Sequence, residues 1–211
     1  MTVTKTPVVL LNVKTGKPEI AELLDAITEQ QLTDWEGAWL PELFAALKRL
    51  RDAGIERRHW PQSRHWDWRR KAAALQAMLS NPGFSIVCDG VTQGLMLVNL
   101  ASERCRIEEQ KGKHLVYVSF VENAPWNRAE LVNPPRFRGV GTILIRVAIE
   151  LSKQEEFKGR IGLHSLPQSN AFYSNTCGMT DLGPDQNNQG LRYFEMTPEQ
   201  AEVFIAKGGK K

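Results

Sequence analysis

The run Arg136-Phe137-Arg138-Gly139-Val140-Gly141, followed at once by an apolar periodic segment, constrains this chain more than any other feature. From Thr142 to Gln154, the residues Ile143, Leu144, Val147, Ala148 and Leu151 fall on one side of a helix. A glycine turn that opens a helix lets backbone N–H groups approach an anion, and the helix N-terminus adds partial positive charge. Such a cradle suits a pyrophosphate. The spacing is neither G-x-x-x-x-G-K-S/T nor G-x-G-x-x-G, and no lysine precedes Thr142, so a nucleoside-triphosphate loop and a dinucleotide fingerprint both match poorly. The plain alternative is turn geometry with no ligand.

The remaining pattern surrounds that loop with alternating element types. Val8 to Val13 reads as a strand closed by Thr15-Gly16-Lys17-Pro18. Helical patterning is expected from about Pro18 to Ala53, with Leu40, Leu43, Phe44, Leu47 and Leu50 on one face and Gly54 as a stop. A second helix is expected from Asp67 to Leu79, packed through Ala73, Leu75, Ala77, Met78 and Leu79 and ended by Asn81-Pro82-Gly83. Strands follow at Phe84 to Cys88, Gly94 to Leu100 and Leu115 to Val121, the first two joined by a hairpin turn at Asp89-Gly90. Beyond the glycine loop and its helix come a strand at Arg160 to Leu166, a short helix at Ser169 to Cys177 and a last strand at Gly190 to Met196. Thr197-Pro198-Glu199-Gln200 then starts a helix, with proline at its first position. This order predicts an α/β domain with a mixed sheet. With no repeat and no low-complexity linker, residues 1–211 are expected to form a single domain, disordered from about residue 207.

Composition narrows the class. Hydrophobic residues at 42% and charged residues at 24% exclude a disordered chain. A net charge of +3 suits an anionic ligand without requiring nucleic acid. Cys88, Cys105 and Cys177 are far apart, odd in number and without a C-x-x-C pair, which argues against a disulfide framework or zinc site and for reduced thiols in the cytoplasm. No secretory pattern is seen at the N-terminus, and no apolar run approaches the roughly 18 residues of a membrane span.

Arg136-x-x-Gly139-x-Gly141 resembles the R/Q-x-x-G-x-G/A motif of the GNAT superfamily of acetyltransferases, placed as there between a central strand and the following helix. Leu163-His164-Ser165-Leu166, then Asn170-Ala171-Phe172-Tyr173 and Cys177-Gly178-Met179, resemble the fifth strand and next helix of that family. The element order matches over nearly the whole chain, the specific motifs over about its last third. The resemblance implies a mixed, mostly antiparallel sheet flanked by helices, with a fourth strand splayed from the fifth to admit the pantetheine of CoA. It implies that the loop of Arg136 holds the pyrophosphate through the amides of Arg138, Gly139, Val140, Gly141 and Thr142. The backbone of Phe120, Val121 and Glu122 would lie near the cofactor arm, Asn170 would contact it, and Tyr173 would protonate the departing thiolate. Acetyl-CoA is then the acyl donor, with no metal.

Direct transfer needs a base for the amine, a donor for the oxyanion and an acid for the thiolate. Glu122, at the end of the expected fourth strand, is the first candidate base, its alternative being a solvated loop carboxylate. His164 is the second, its alternative a packed or hydrogen-bonded strand histidine. For Tyr173 the alternative is a tyrosine at the core edge. Two departures from the family pattern stand out. The link from Val121 to Arg136 is long, and the Tyr173-to-Gly178 spacing carries one extra residue, which turns a helical side chain by about 100°.

Arg57-Arg58-His59-Trp60 and Arg64 to Lys71 form the densest cationic and aromatic cluster. Tryptophans stack bases and arginines neutralise phosphates, so an RNA-linked acceptor is conceivable here. The alternative is a helix junction whose tryptophans pack inward. The expected function is acetyl-CoA-dependent N-acetylation of a primary amine on a small molecule or protein. Acetylation of aminoacyl-tRNA and a catalytically silent CoA-binding or partner-binding module are the other readings. No membrane partner is expected, and a homodimer is left open.

Overall fold

A computed structural model describes residues 3–76 and 78–208. The chain forms two compact units, one of Met1–Met78, Pro82–Met96 and Val121–Leu144, the other of Leu79–Asn81, Leu97–Phe120 and Ile145–Lys211.

The first unit begins with an antiparallel hairpin of β1 (Lys5–Asn12) and β2 (Pro18–Leu24), in register Val9 opposite Ile20. The helix expected from about Pro18 is thus corrected: its first seven residues are a strand. Glu, Leu and Ala favour a helix there, but pairing with β1 on one side and β3 on the other satisfies the backbone, and tertiary context overrides propensity. Ala21 and Leu24 face inward, whereas Ile20 is 78% exposed.

The helix starts instead at Glu29, behind a capping box made by Thr28 and Gln31. α1 (Glu29–Asp34) passes through a π turn at Trp35–Trp39 into α2 (Leu40–Asp52). Trp35, Trp39, Leu43 and Ala46 are buried, while Phe44, placed inward by the sequence pattern, is 60% exposed. The π turn rotates the apolar face that a regular helix would carry on. α3 (Trp68–Leu75) is capped by Asp67, whose carboxylate accepts the Arg70 N–H at 2.9 Å. It packs through Trp68 and Ala72, one turn apart, and ends before Met78 and Leu79, which are exposed. Ala73 is exposed as well, and Ala77 lies outside the described residues.

β3 (Gly83–Cys88) and β4 (Val91–Asn99) are joined as expected, with Asp89 and Gly90 both at positive φ, the twist a two-residue hairpin needs. Trp39 donates its indole N–H to the Thr92 carbonyl at 2.8 Å, and the Thr92 N–H and hydroxyl donate to Asp34 at 2.9 and 2.6 Å. These bonds fix the π turn against β4. β5 (Val116–Asn123) begins in the second unit and ends in the first. A two-residue strand that the sequence pattern did not suggest, β6 (Phe137–Arg138), pairs with Leu11 and Asn12 of β1. α4 (Val140–Gln154) follows, burying Leu144, Ile145, Ala148 and Ile149, a stripe turned slightly from the expected one.

In the second unit, β7 (Ile161–Ser165) pairs antiparallel with β9 (Leu191–Met196), and β9 with β8 (Thr180–Asp185). The β8 strand escaped the sequence reading. It carries Gly183 and Pro184 with a register shift between Asp181 and Pro184, and such residues are tolerated at an edge or bulge. The expected helix Ser169 to Cys177 is a 3-10 turn at Pro167–Ser169 and a π turn at Phe172–Thr176. α5 (Pro198–Gly208) is capped by Thr197, which exchanges bonds with Gln200 at 2.9 and 3.3 Å. It includes Lys207 and Gly208, and residues 209–211 lie outside the description. The strand order is β6-β1-β2-β3-β4-β5-β7-β9-β8, the mixed and mostly antiparallel sheet that was expected.

Candidate functional site

The glycine turn lies in the first unit. Gly139 has φ +103°, a conformation strained for any side chain, and α4 opens at the next residue. The first N–H to bond back is that of Ile143, to the Gly139 carbonyl at 2.9 Å. The N–H groups of Val140, Gly141 and Thr142 are therefore the unpaired donors of a helix start, at its positive end. Gly94 on β4 makes room for this start, because a Cβ there would overlap Val140 and stand 3.1 Å from Leu144. The Arg136 guanidinium pairs with Asp89 at 2.9 Å and lies 4.9 Å over the Phe137 ring, while Arg138 is exposed.

The long link before the turn holds it in place. Asn127 accepts the Phe137 N–H at 3.0 Å and donates to the Gln93 side chain at 2.9 Å, and Trp126 donates to the same Gln93 oxygen at 2.8 Å. Gln93 is wholly buried, and Phe137 is 2% exposed. Sequence reasoning missed Gln93 and Asn127. The available signal was a glutamine within an apolar strand.

Glu122, near the end of β5, has a side chain only 9% exposed. One oxygen accepts from Arg128 at 3.0 Å and the other from the Trp68 indole at 2.7 Å. It is not a solvated loop carboxylate. Burial raises its pKa, with Arg128, Trp68 and Ser63 pulling it back. Burial also lowers the Lys71 pKa, against the pull of Glu122 and Asp67. Val121 is the half-buried residue before it.

The second unit holds the other candidates. β5 and β7 pair in parallel at Val116 with Ile161 and at Tyr117 with Gly162. Beyond that point Val118 and Ser119 have no β7 partner among the described residues, while Leu163, His164 and Ser165 pair with β9. The two strands separate there. His164 is engaged at both ring nitrogens, Nδ1 with the Tyr117 hydroxyl at 2.8 Å and Nε2 with Asp185 at 3.0 Å. Arg106, 2.6 Å from Asp185, and then His164 hold that carboxyl well below its usual range. An ionised Asp185 accepts from Nε2–H, which leaves Nδ1 to accept the Tyr117 proton. Burial pushes the Tyr117 phenol up to about 12.

Tyr173 is 6% exposed in the π turn, its ring 5.2 Å from Phe172 and 5.8 Å from Phe194. Burial raises its pKa far above that of a free phenol. The Cys177 N–H bonds the Phe172 carbonyl at 3.0 Å, an i to i+5 step that absorbs the extra residue before Gly178. Asn170 presents a buried Oδ1 with no hydrogen-bond partner.

The basic segment divides in two. Trp68 is buried, and Arg69 is bound to Glu29 and Glu36 at 2.9 and 2.8 Å. Arg57, Arg58, Trp60, Gln62, Arg64 and His65 instead line an open hollow. Elsewhere, Glu19, Cys88 and Asp89 bring three potential metal donors within 4.8 Å, but Asn12 already donates to Glu19 and Arg136 to Asp89.

No protein-family model and no curated protein matches the sequence. Among solved structures, the chain is similar to RimJ of Mycobacterium smegmatis in complex with CoA-disulfide, at 15% identity over 98% of this chain and 95% of that one, TM-score 0.51. It is similar to FeeM, an N-acyl amino acid synthase from uncultured soil microbes, at 10% identity over 87% and 94%, TM-score 0.50. An uncharacterized protein of Bacillus halodurans aligns at 9% identity over 95% of each chain, TM-score 0.53. The chain has the fold of the GNAT acetyltransferases.

Proposed function

We propose that this protein is an acetyl-CoA-dependent N-acetyltransferase acting on a primary amine. The observation that carries the reading is the Gly139 turn opening α4, with Glu122 buried at the end of β5 in the same compact unit. The N–H groups of Val140, Gly141 and Thr142 bind the pyrophosphate, supported by Arg136 and Arg138 of the same loop. The orphaned Asn170 Oδ1 fits an amide or hydroxyl donor of pantetheine, and the backbone of Phe120 and Val121 in β5 is assigned to the same arm. When bound, acetyl-CoA supplies an activated acyl carbonyl.

Glu122 accepts the proton of the attacking amine. Its raised pKa brings it closer to the range in which a base is effective. Tyr173, kept protonated by burial, donates to the leaving sulfur. His164 holds Tyr117 and Asp185 in place and does not act as the base, since both of its nitrogens are engaged. With three buried free cysteines, the reducing cytoplasm is the proposed setting.

Thiol release from acetyl-CoA across an amine panel tests the reading. The wild type is expected to release CoA only with an acceptor, and Glu122→Gln to lower kcat/KM by about 10²–10⁴-fold with CoA affinity retained. Binding of CoA without transfer to any amine would instead support the silent module.

A further inference from the structure

We propose that the hollow of the basic segment is an acceptor subsite that binds a phosphate ester, as a nucleotide carries. The inference rests on the reading of Glu122 as the base.

Most arginines of the first unit are committed to carboxylates. Arg69 bridges Glu29 and Glu36, Arg128 bridges Glu122 and Glu130, and Arg136 holds Asp89. The hollow differs. Of its three arginines only Arg58 meets a carboxylate, Glu56 at 3.1 Å, where both side chains are well exposed and the pair is weak. Arg57 lies 5.8 Å over the Trp60 ring, and Arg64 donates to the Pro61 carbonyl at 3.1 Å. Neither faces a carboxylate within ion-pair distance among the described residues. His65 and the Gln62 amide complete a wall rich in donors.

Guanidinium forks match a phosphate's tetrahedral oxygens better than an ammonium does, and several donors lining one hollow with a single exposed counter-charge favour a multiply charged anion. Trp60 adds an aromatic surface. Its indole N–H is fixed on the Ile55 carbonyl at 2.8 Å, and buried Pro61 follows it, so the ring is held half-exposed for stacking.

The hollow is also tied to the candidate base by a single residue. Ser63 stands between Gln62 and Arg64 of the wall, is 4% exposed, and pulls the Glu122 pKa down. An acceptor anchored by its phosphate against Arg57 and Arg64 would thus lie beside the segment that carries Ser63. Phosphate recognition here selects the acceptor.

Titration calorimetry of the CoA-free protein at low salt tests this with three probes: inorganic phosphate, AMP and a short single-stranded oligoribonucleotide. Saturable AMP binding is expected, weakened at least tenfold in Arg57→Ala/Arg64→Ala and partly in Trp60→Leu, with CoA affinity and thermal unfolding unchanged. Phosphate binding as tightly as AMP would show that the phosphate alone is read, and a tighter oligoribonucleotide would identify a strand as its source. Either supports the subsite. Absence of saturable binding to all three, equal binding by the double variant, or a parallel loss of CoA affinity would overturn it, the last by assigning the hollow to the cofactor's own phosphate. AMP binding in a protein that acetylates nothing would count against the transferase reading while leaving the phosphate site standing.

Discussion

Glu195 in one compact unit and Glu122 in the other are well-bonded glutamates of low exposure, and they are held by different kinds of partner. Glu195, on β9, is wholly buried and accepts the N–H groups of Arg106 and Ile107 at 2.6 and 3.0 Å and the Gln110 amide at 2.7 Å. All three of these donors come from the stretch before β5, and two of them are main-chain N–H groups that cannot move away, so the carboxylate pins a loop. Glu122 is held by the side chains of Arg128 and Trp68, and burial works against its charged form. Side-chain partners can reorient when a proton arrives, whereas backbone donors cannot. The contrast separates a carboxylate that holds structure from the proposed base.

Substitution should expose that difference. Glu195→Ala strips the acceptor from three donors, and at about 1–3 kcal/mol for each buried donor left unsatisfied a loss of at least about 3 kcal/mol is expected in urea unfolding. Glu122→Gln should cost less stability, because the amide oxygen still accepts a bond and Arg128 keeps Glu130 at 2.9 Å, yet it should lower kcat/KM by about 10²–10⁴-fold. Equal stability losses with turnover intact would erase the distinction. The smallest effect is expected from Tyr117→Phe, which removes one bond to His164 and should lower stability by about 1 kcal/mol without changing CoA affinity.

How far the sequence reveals this arrangement depends on how local each cause is. The Gly139 turn, the α4 pattern and the Asp89-Gly90 hairpin are set by neighbouring residues and are legible directly. Pro18–Leu24 misleads because its composition favours a helix while its strand state comes from β1 and β3, the latter some 60 residues away in sequence. β8 stays hidden because Gly183 and Pro184 break the alternation that marks a strand. At the site, Glu122 and Tyr173 are visible as residue types in plausible positions, but their environments are not. The Trp68–Glu122 bond spans 54 positions, and the π turn that accommodates the extra residue after Tyr173 has no periodic signature. The role of the long link, which anchors Phe137 through Asn127 and Gln93, is equally non-local.

The amides opening α4 are proposed to hold the pyrophosphate of CoA. Calorimetric titration of CoA into the wild type and into Gly141→Glu tests it most directly, since that position is helical and takes a side chain without a left-handed backbone. Saturable one-to-one binding by the wild type is predicted, with at least tenfold weaker binding by the variant at an unchanged melting temperature, because the new carboxylate meets the phosphates at the helix start. No binding by the wild type, or equal affinity in both proteins, would contradict the account.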